Sequence, residues 1–218
     1  MINLRPVAEN LPLLLGSLLT TLELFAATLM VSLVPAVLIA VGRLYGPRPL
    51  QLGLLALTYL VRGVPGVLAI LIIFYALPFV GPTLDAFPSV VLMLTIIQVV
   101  YLSEVFRAAL AAVDRGQFEA GTALGFTGPQ VLRLVVAPQA AMVAAPAFIS
   151  SCIQLMQNTT IASAVGLYDL LGRAQNLAVN YLDGSPILVV APVYVLILLP
   201  MIRLGRRLER RLAVARRP

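Results

Sequence analysis

Ser150, Gln154, Gln157 and Asn158 stand at i, i+4, i+7 and i+8 in a stretch that is otherwise apolar. On a helix that spacing gathers them on one face. Thr95, Gln98 and Tyr101 repeat at intervals of three in an earlier apolar run and make a second polar stripe. All are neutral hydrogen-bonding groups, suited to holding a solute rather than to moving electrons. Inside a membrane helix such groups face a cavity or another helix, because lipid offers them no partner. Two roles follow. The stripes wall a path for a polar solute, or they hydrogen-bond between helices and only glue a bundle together, at about 0.6 kcal/mol each.

Other chemistries lack their residues. The chain has no histidine, no lysine and a single cysteine, Cys152. No thiol or imidazole cluster for zinc or haem can be assembled, so no metal site is expected. A Ser or Cys triad has no imidazole, and a GxxxxGK phosphate loop has no lysine. Cys152 reads as a small apolar filler.

The stretch from Gln117 to Ala140, QFEAGTALGFTGPQVLRLVVAPQA, breaks the apolar pattern with Glu119, three glycines and two prolines. Glu119 to Leu124 is long enough for two helical turns, about 9 Å, and cannot span a bilayer. Gly125 stands where a C-terminal cap is expected, Thr127 can cap the next helix, and Pro129 suits its first turn. Phe118, Leu124 and Phe126 offer apolar knobs, while Ala120, Gly121 and Ala123 permit close approach. A helix this short needs something packed on it. That support is a protein partner, or the lipid surface on which an ordinary loop helix rests.

The elements that must position these groups follow from composition. The 218 residues are 61% hydrophobic and 11% charged, with a mean hydropathy of +1.01; soluble domains carry about 25% charged residues. Apolar runs near 16–42, 50–80, 86–113, 131–157 and 185–204 each supply the ~20 residues that cross a bilayer core. An all-α, multi-pass membrane protein with five transmembrane helices and one short cytoplasmic helix is expected, because the runs lack the alternation of barrel strands. The opening stretch has no small-residue cleavage site and is kept as the first span. Residues 1–218 read as one transmembrane domain, with a coupling loop at about 115–130 and a basic tail at about 203–218. Arg62-Gly63-Val64-Pro65 predicts a break in the second span. Glu104 and Arg107, one turn apart, predict a local ion pair. Glu23 is a carboxylate in the first span without an evident role.

All fifteen cations are arginine, seven of them between Arg203 and Arg217. Their distribution places the amino terminus outside, the opening loop inside and the carboxyl tail in the cytoplasm. The tail reads as an anchor at the anionic inner leaflet of the lipid bilayer, and no nucleic acid is expected.

The string from Glu119 to Ala140 resembles the EAA loop of ABC importer permeases, a Glu-Ala-Ala with a glycine six residues after the Glu and a distal Leu-Pro. Here it reads Glu119, Ala120, Gly121, then Gly125, then Ala137-Pro138, with Gly121 and Ala137 departing from the usual residues. YLVRGVP (59–65), YLSEVFRAAL (101–110), QNTTIASAVGLYDLLGRAQ (157–175) and RLERRL (207–212) are similar to the polar amino acid uptake subgroup in the same order. The resemblance implies a permease subunit of a type I importer in the bacterial cytoplasmic (inner) membrane. Its short helix, with Glu119, Ala120, Gly121, Leu124, Gly125 and Phe126, would dock on a cytoplasmic ABC ATPase dimer that holds the ATP and Mg. No cofactor is expected on this chain itself. A second permease subunit, identical or homologous, would complete the path, and an extracytoplasmic amino-acid-binding protein would deliver the solute. The resemblance also puts the substrate and gate region at Asn158, Thr159 and Thr160. Thr95, Gln98, Tyr59, Gln154, Gln157, Asn158, Thr159 and Thr160 are the expected path residues. Tyr59 stands where many relatives carry Glu, and Gln157-Asn158-Thr159 where they often carry Lys-Asp-Thr, which favours a solute neutral overall. The competing expectation is a scaffold or passive channel that uses no ATP.

Overall fold

The computed structural model describes residues 3–215, so Arg216 and Arg217 of the basic tail lie outside the described residues. Every regular element among them is helical. The first span, α2 (Leu11–Tyr45), follows a five-residue helix, α1 (Arg5–Glu9). At 1.5 Å per residue α2 is about 52 Å long, well beyond a ~30 Å hydrocarbon core. Its buried face is a stripe of mostly small residues: Ser17, Thr21, Leu24, Thr28, Ser32, Ala36 and Ala40. Small side chains let membrane helices approach closely, and α2 packs along α5 (Ala86–Ala111) on this stripe. Two of its hydroxyls turn back onto their own helix, Thr21 to the Ser17 carbonyl at 3.1 Å and Ser32 to that of Leu29 at 2.9 Å, while the buried Thr28 hydroxyl has no hydrogen-bond partner among the described residues. The opposite face carries Met30, Val34 and Leu38, all strongly exposed to the position of lipid.

The second apolar run is a bent pair rather than a straight span. α3 (Arg48–Gly63) ends at extended Val64 and Pro65, and α4 (Gly66–Leu71) leaves at 95°. Proline lacks the N–H that would continue the helix, and it pushes its predecessor out of helical angles. α4 runs through a π-helical turn, Ile72–Ala76, and a 3₁₀ turn, Leu77–Phe79. With the pair counted as one, the helices long and apolar enough to cross a membrane number five among the described residues.

After α5 come α6 (Arg115–Ala123), α7 (Gly128–Val131), a π turn at Leu132–Val136, and α8 (Ala137–Asn158). A 3₁₀ segment, Thr159–Val165, prolongs α8. α10 (Ser185–Ala215) is the last span. The main core gathers Leu24, Ile70, Val90, Met93, Leu94 and Leu155 from α2, α4, α5 and α8.

α9 (Leu170–Asn180) lies between the last two spans and was not expected from the sequence. Its buried Leu170, Ala174 and Leu177 are spaced i, i+4, i+7 and pack with Leu14 of α2 and Val190 of α10. Gly172 makes its first turn possible: a Cβ there would lie 2.5 Å from the Leu167 carbonyl oxygen. Gly172→Ala is expected to cost about 2 kcal/mol and to lower the thermal midpoint of the detergent-solubilised protein by roughly 5 °C. Gly53→Ala, where an added Cβ meets nothing within 4 Å, serves as the control and leaves it unchanged.

Candidate functional site

The bend at Pro65 opens a cleft of about 190 Å3 between α3, α5 and α8. Arg62, in the last turn of α3, lays its guanidinium over the Tyr101 ring at 5.0 Å from the centroid. Gln154 and Asn158, one turn apart on α8, form the facing wall, and Ile97 and Ile161 supply apolar surface. Gly66 allows the wall to close, since its Cβ would stand 3.1 Å from Ile161 Cδ1. Arg62 has no carboxylate partner among the described ion pairs. The cleft therefore offers one cation, two amides and an aromatic face, an arrangement that can pair with a carboxylate and hydrogen-bond a polar group.

Of the eight expected path residues, only Gln154 and Asn158 line this cleft. Gln98 is buried and donates to Ser151 Oγ at 3.0 Å, which makes it inter-helix glue. Thr95 sits on the same α5 stripe with its hydroxyl enclosed and without a hydrogen-bond partner. Thr159 is buried and donates to the Met156 carbonyl at 2.7 Å; Thr160 donates to that of Gln157 at 2.7 Å. Gln157 is exposed away from the cleft. Tyr59 is 67% exposed on the outer side of α3. The α8 stripe shares one broad face, of which the cleft meets only the part that carries Gln154 and Asn158. Arg62 was legible only as part of a break; its proximity to a bend in an apolar run was the available signal.

The second feature is α6. Asp114 accepts a hydrogen bond from Gly116 N–H at 2.6 Å and starts the helix at Arg115, a turn earlier than the sequence suggested. Glu119 is thus mid-helix and not at the positive end of the dipole. Gly125 adopts φ +85°, the left-handed conformation that glycine enters without strain. The Gln130 side chain accepts from both the N–H and the hydroxyl of Thr127, at 2.8 and 2.9 Å, and starts α7. Gly121 is the buried residue of α6, and a Cβ there would fall 2.9 Å from Val131 Cγ2. An alanine at that position needs Val131 to shift, so Gly121 is a fitted contact and not a neutral small residue. Gln117 joins Gln139 of α8 at 3.1 Å. Glu119, Ala120, Leu124 and Phe126 face outward, Leu124 with 78% exposure. α6 is thus anchored on one side through Gly121 and Gln117, and on the other leaves Glu119 exposed beside the apolar Phe118 and, in the turn that follows, Leu124 and Phe126.

Residues 32–214 match the family described as the inner membrane component of binding-protein-dependent transport systems. The chain belongs to that family. It is 30% identical over 184 residues to the L-cystine transport system permease protein TcyB of Bacillus subtilis, covering 84% of this chain and 79% of that protein. Over 207 residues it is 29% identical to the arginine transport system permease protein ArtQ of the same organism, covering 93% and 94%. A solved amino acid ABC transporter with histidines superposes with a TM-score of 0.86 at 28% identity, over 97% of this chain and 99% of that one. The all-α membrane fold expected from the sequence is the fold of this inner membrane component.

At the other end of this membrane component, Asp169 caps α9, accepting from Gly172 N–H at 2.8 Å. It is wholly buried. Tyr194 of α10 approaches its second oxygen at 3.4 Å, and the adjacent Leu170 N–H donates to Thr21 of α2 at 2.9 Å. Arg173 lies 4.1 Å over the Tyr168 ring and donates to Ser17 at 3.3 Å, and Asp169 has no ionic partner among the described residues. Burial pushes the Asp169 carboxyl up to about 6, against hydrogen bonds from the Gly172 and Leu171 N–H groups and Tyr194. A carboxyl raised in the folded state favours folding below its ordinary value of 3.8, and that contribution is lost as pH rises to about 6. Asp169→Asn keeps the cap and removes the titration. The wild-type protein is expected to lose on the order of 3 kcal/mol between pH 4 and 7 relative to Asp169→Asn; parallel stability profiles of the two proteins would contradict this.

Proposed function

We propose that the chain is the permease subunit of an ATP-driven importer of a polar amino acid or similar small zwitterion. The observation that carries this reading is α6, whose outward apolar side and glycine-capped turn are suited to a docking groove on a separate ATPase. The chain has no lysine for a phosphate loop, so ATP and Mg are assigned to that partner dimer. A second permease, identical or homologous, completes the path, and an extracytoplasmic binding protein supplies the solute. The arginines favour an outer amino terminus and a cytoplasmic carboxyl terminus, which puts α6 inside and α9 outside. Gly125→Val forces a β-branched residue into the left-handed cap. In vesicles reconstituted with the ATPase and binding protein it is expected to insert normally and to lose ATP-driven uptake by tenfold or more, about 1.4 kcal/mol in coupling. Wild-type uptake by this variant would remove the docking role.

The cargo follows from the cleft. The two relatives named above transport, by name, cystine and arginine, so likeness leaves its charge open. Arg62 is suited to the α-carboxylate, while Gln154, Asn158 and the face of Tyr101 are suited to the ammonium and a polar side chain. A cationic side chain would meet Arg62 with no carboxylate to offset it, at a cost of several kcal/mol in a dry site. A solute neutral overall, such as glutamine or cystine, fits best. Competition among labelled glutamine, glutamate and arginine tests this: glutamine is expected to be preferred over arginine, and Arg62→Gln is expected to lower uptake about a hundredfold, as loss of a charge-assisted pair. Arginine preferred tenfold would overturn the assignment.

A further inference from the structure

Behind the docking helix lies a groove of about 450 Å3, bounded by Leu44 and Tyr45 at the end of α2, Leu110 at the end of α5, Val113 of the link that follows, and Phe118 and Glu119 of α6. α6 rests chiefly on α7 and the π turn that follows it, through Gly121 against Val131. The groove thus separates it from α2. Motion of α6 can pass to α8 through the π turn and the Gln117 to Gln139 bond, and to α5, the helix that packs along α2, through residues 112–114.

One side chain ties those two helices at this level. Glu104 of α5 accepts from Arg43 Nη1 of α2 at 2.6 Å through one oxygen, and from Arg107 Nε at 3.1 Å through the other. The Arg43 side chain is only 10% exposed, so this cation is committed to the contact rather than to water. From Arg43 the helix runs without interruption to Thr21, which holds Leu170 of α9.

We propose that Glu104 is a positioning residue that clamps the inner ends of α2 and α5 into one strut, so that a displacement of the docking helix carries α2 with α5 and reaches α9. The inference rests on the importer reading above. Partly exposed ion pairs add little to stability, and what this one supplies is geometry: one charge-assisted hydrogen bond from Arg43 across to a carboxylate whose other oxygen is held by Arg107. Without it the α5 end is free to move into the groove and leave α2 behind.

The test uses the whole complex in vesicles and reads ATP hydrolysed per solute imported. Arg43→Gln and Glu104→Gln are each expected to raise that ratio about fivefold or more. Together they do no more than either alone, and Arg43→Lys keeps most of the coupling. Complex yield and thermal midpoint stay near wild type, a result that a merely structural role would not give. Arg43→Gln leaves the Glu104 and Arg107 pair intact and carries the test if Glu104→Gln fails to assemble. Variants with the wild-type ratio, or with uptake and hydrolysis falling together, overturn the clamp. Wild-type vesicles that import nothing on ATP addition would refute the importer reading and the clamp with it, an outcome distinct from variants that stay coupled.

Discussion

Close approach of α2 and α5 is the constraint on which the remaining structure depends. Lipid provides no hydrophobic drive for helix association, so van der Waals packing between small residues must supply it. The stripe from Ser17 to Ala40 does so over most of the length of α2. A buried hydroxyl costs free energy when unpaired; Thr21 and Ser32 bond to carbonyls of their own helix, while Thr28 stays without a partner among the described residues and the packing offsets its cost. Because both faces of this contact are committed, α2 has no freedom to serve as a wall of the cleft. The cleft is made instead from the bend after α3 and the polar face of α8.

The two ends of the α2 and α5 pair carry different chemistry. At the Arg43 end every charge has a partner, Glu104 being shared by Arg43 and Arg107, and the cluster keeps one net positive charge. At the other end a carboxyl is buried with hydrogen-bond donors alone. A pair of charges holds position over a wide pH range, whereas an unpaired buried carboxyl makes local stability depend on protonation. The α9 end is therefore the one whose stability depends on pH, and α9 follows the 3₁₀ segment after a turn that begins at the left-handed Gly166.

Much of this was legible in the sequence, and the misses share a cause. Pro65 announced the bend, because a missing N–H acts locally and needs no tertiary partner. Gly125 and Thr127 announced the turn after α6 for the same reason. Asp114 carried an equally local signal, a capping residue before the helix, and overlooking it displaced the start of α6 to Glu119. Gln98 and Gln154 could not be told apart by type or spacing; only the partner across the helix, Ser151 for one and open cleft for the other, distinguishes them. α9 was not expected because its apolar face is only three residues wide, too short to stand out beside the longer spans. Its capping Asp169 and the i, i+4, i+7 pattern were the signal.

Arginine placement gives the last step. Arg43 and Arg107 are answered by a carboxylate, and Arg173 by the Tyr168 ring and the Ser17 hydroxyl. Arg62 is answered by the face of Tyr101 and by its place at the carbonyl end of α3, where the helix dipole favours a cation. Neither contact fills the planar fork of the guanidinium, which pairs best with two carboxylate oxygens. On the function proposed above, the cargo itself completes that pairing. A carboxylate built into the cleft would satisfy Arg62 permanently and compete with the cargo for it. Neutral amides at Gln154 and Asn158 avoid this competition, so the charge selectivity and the binding strength of the cleft arise from the same omission.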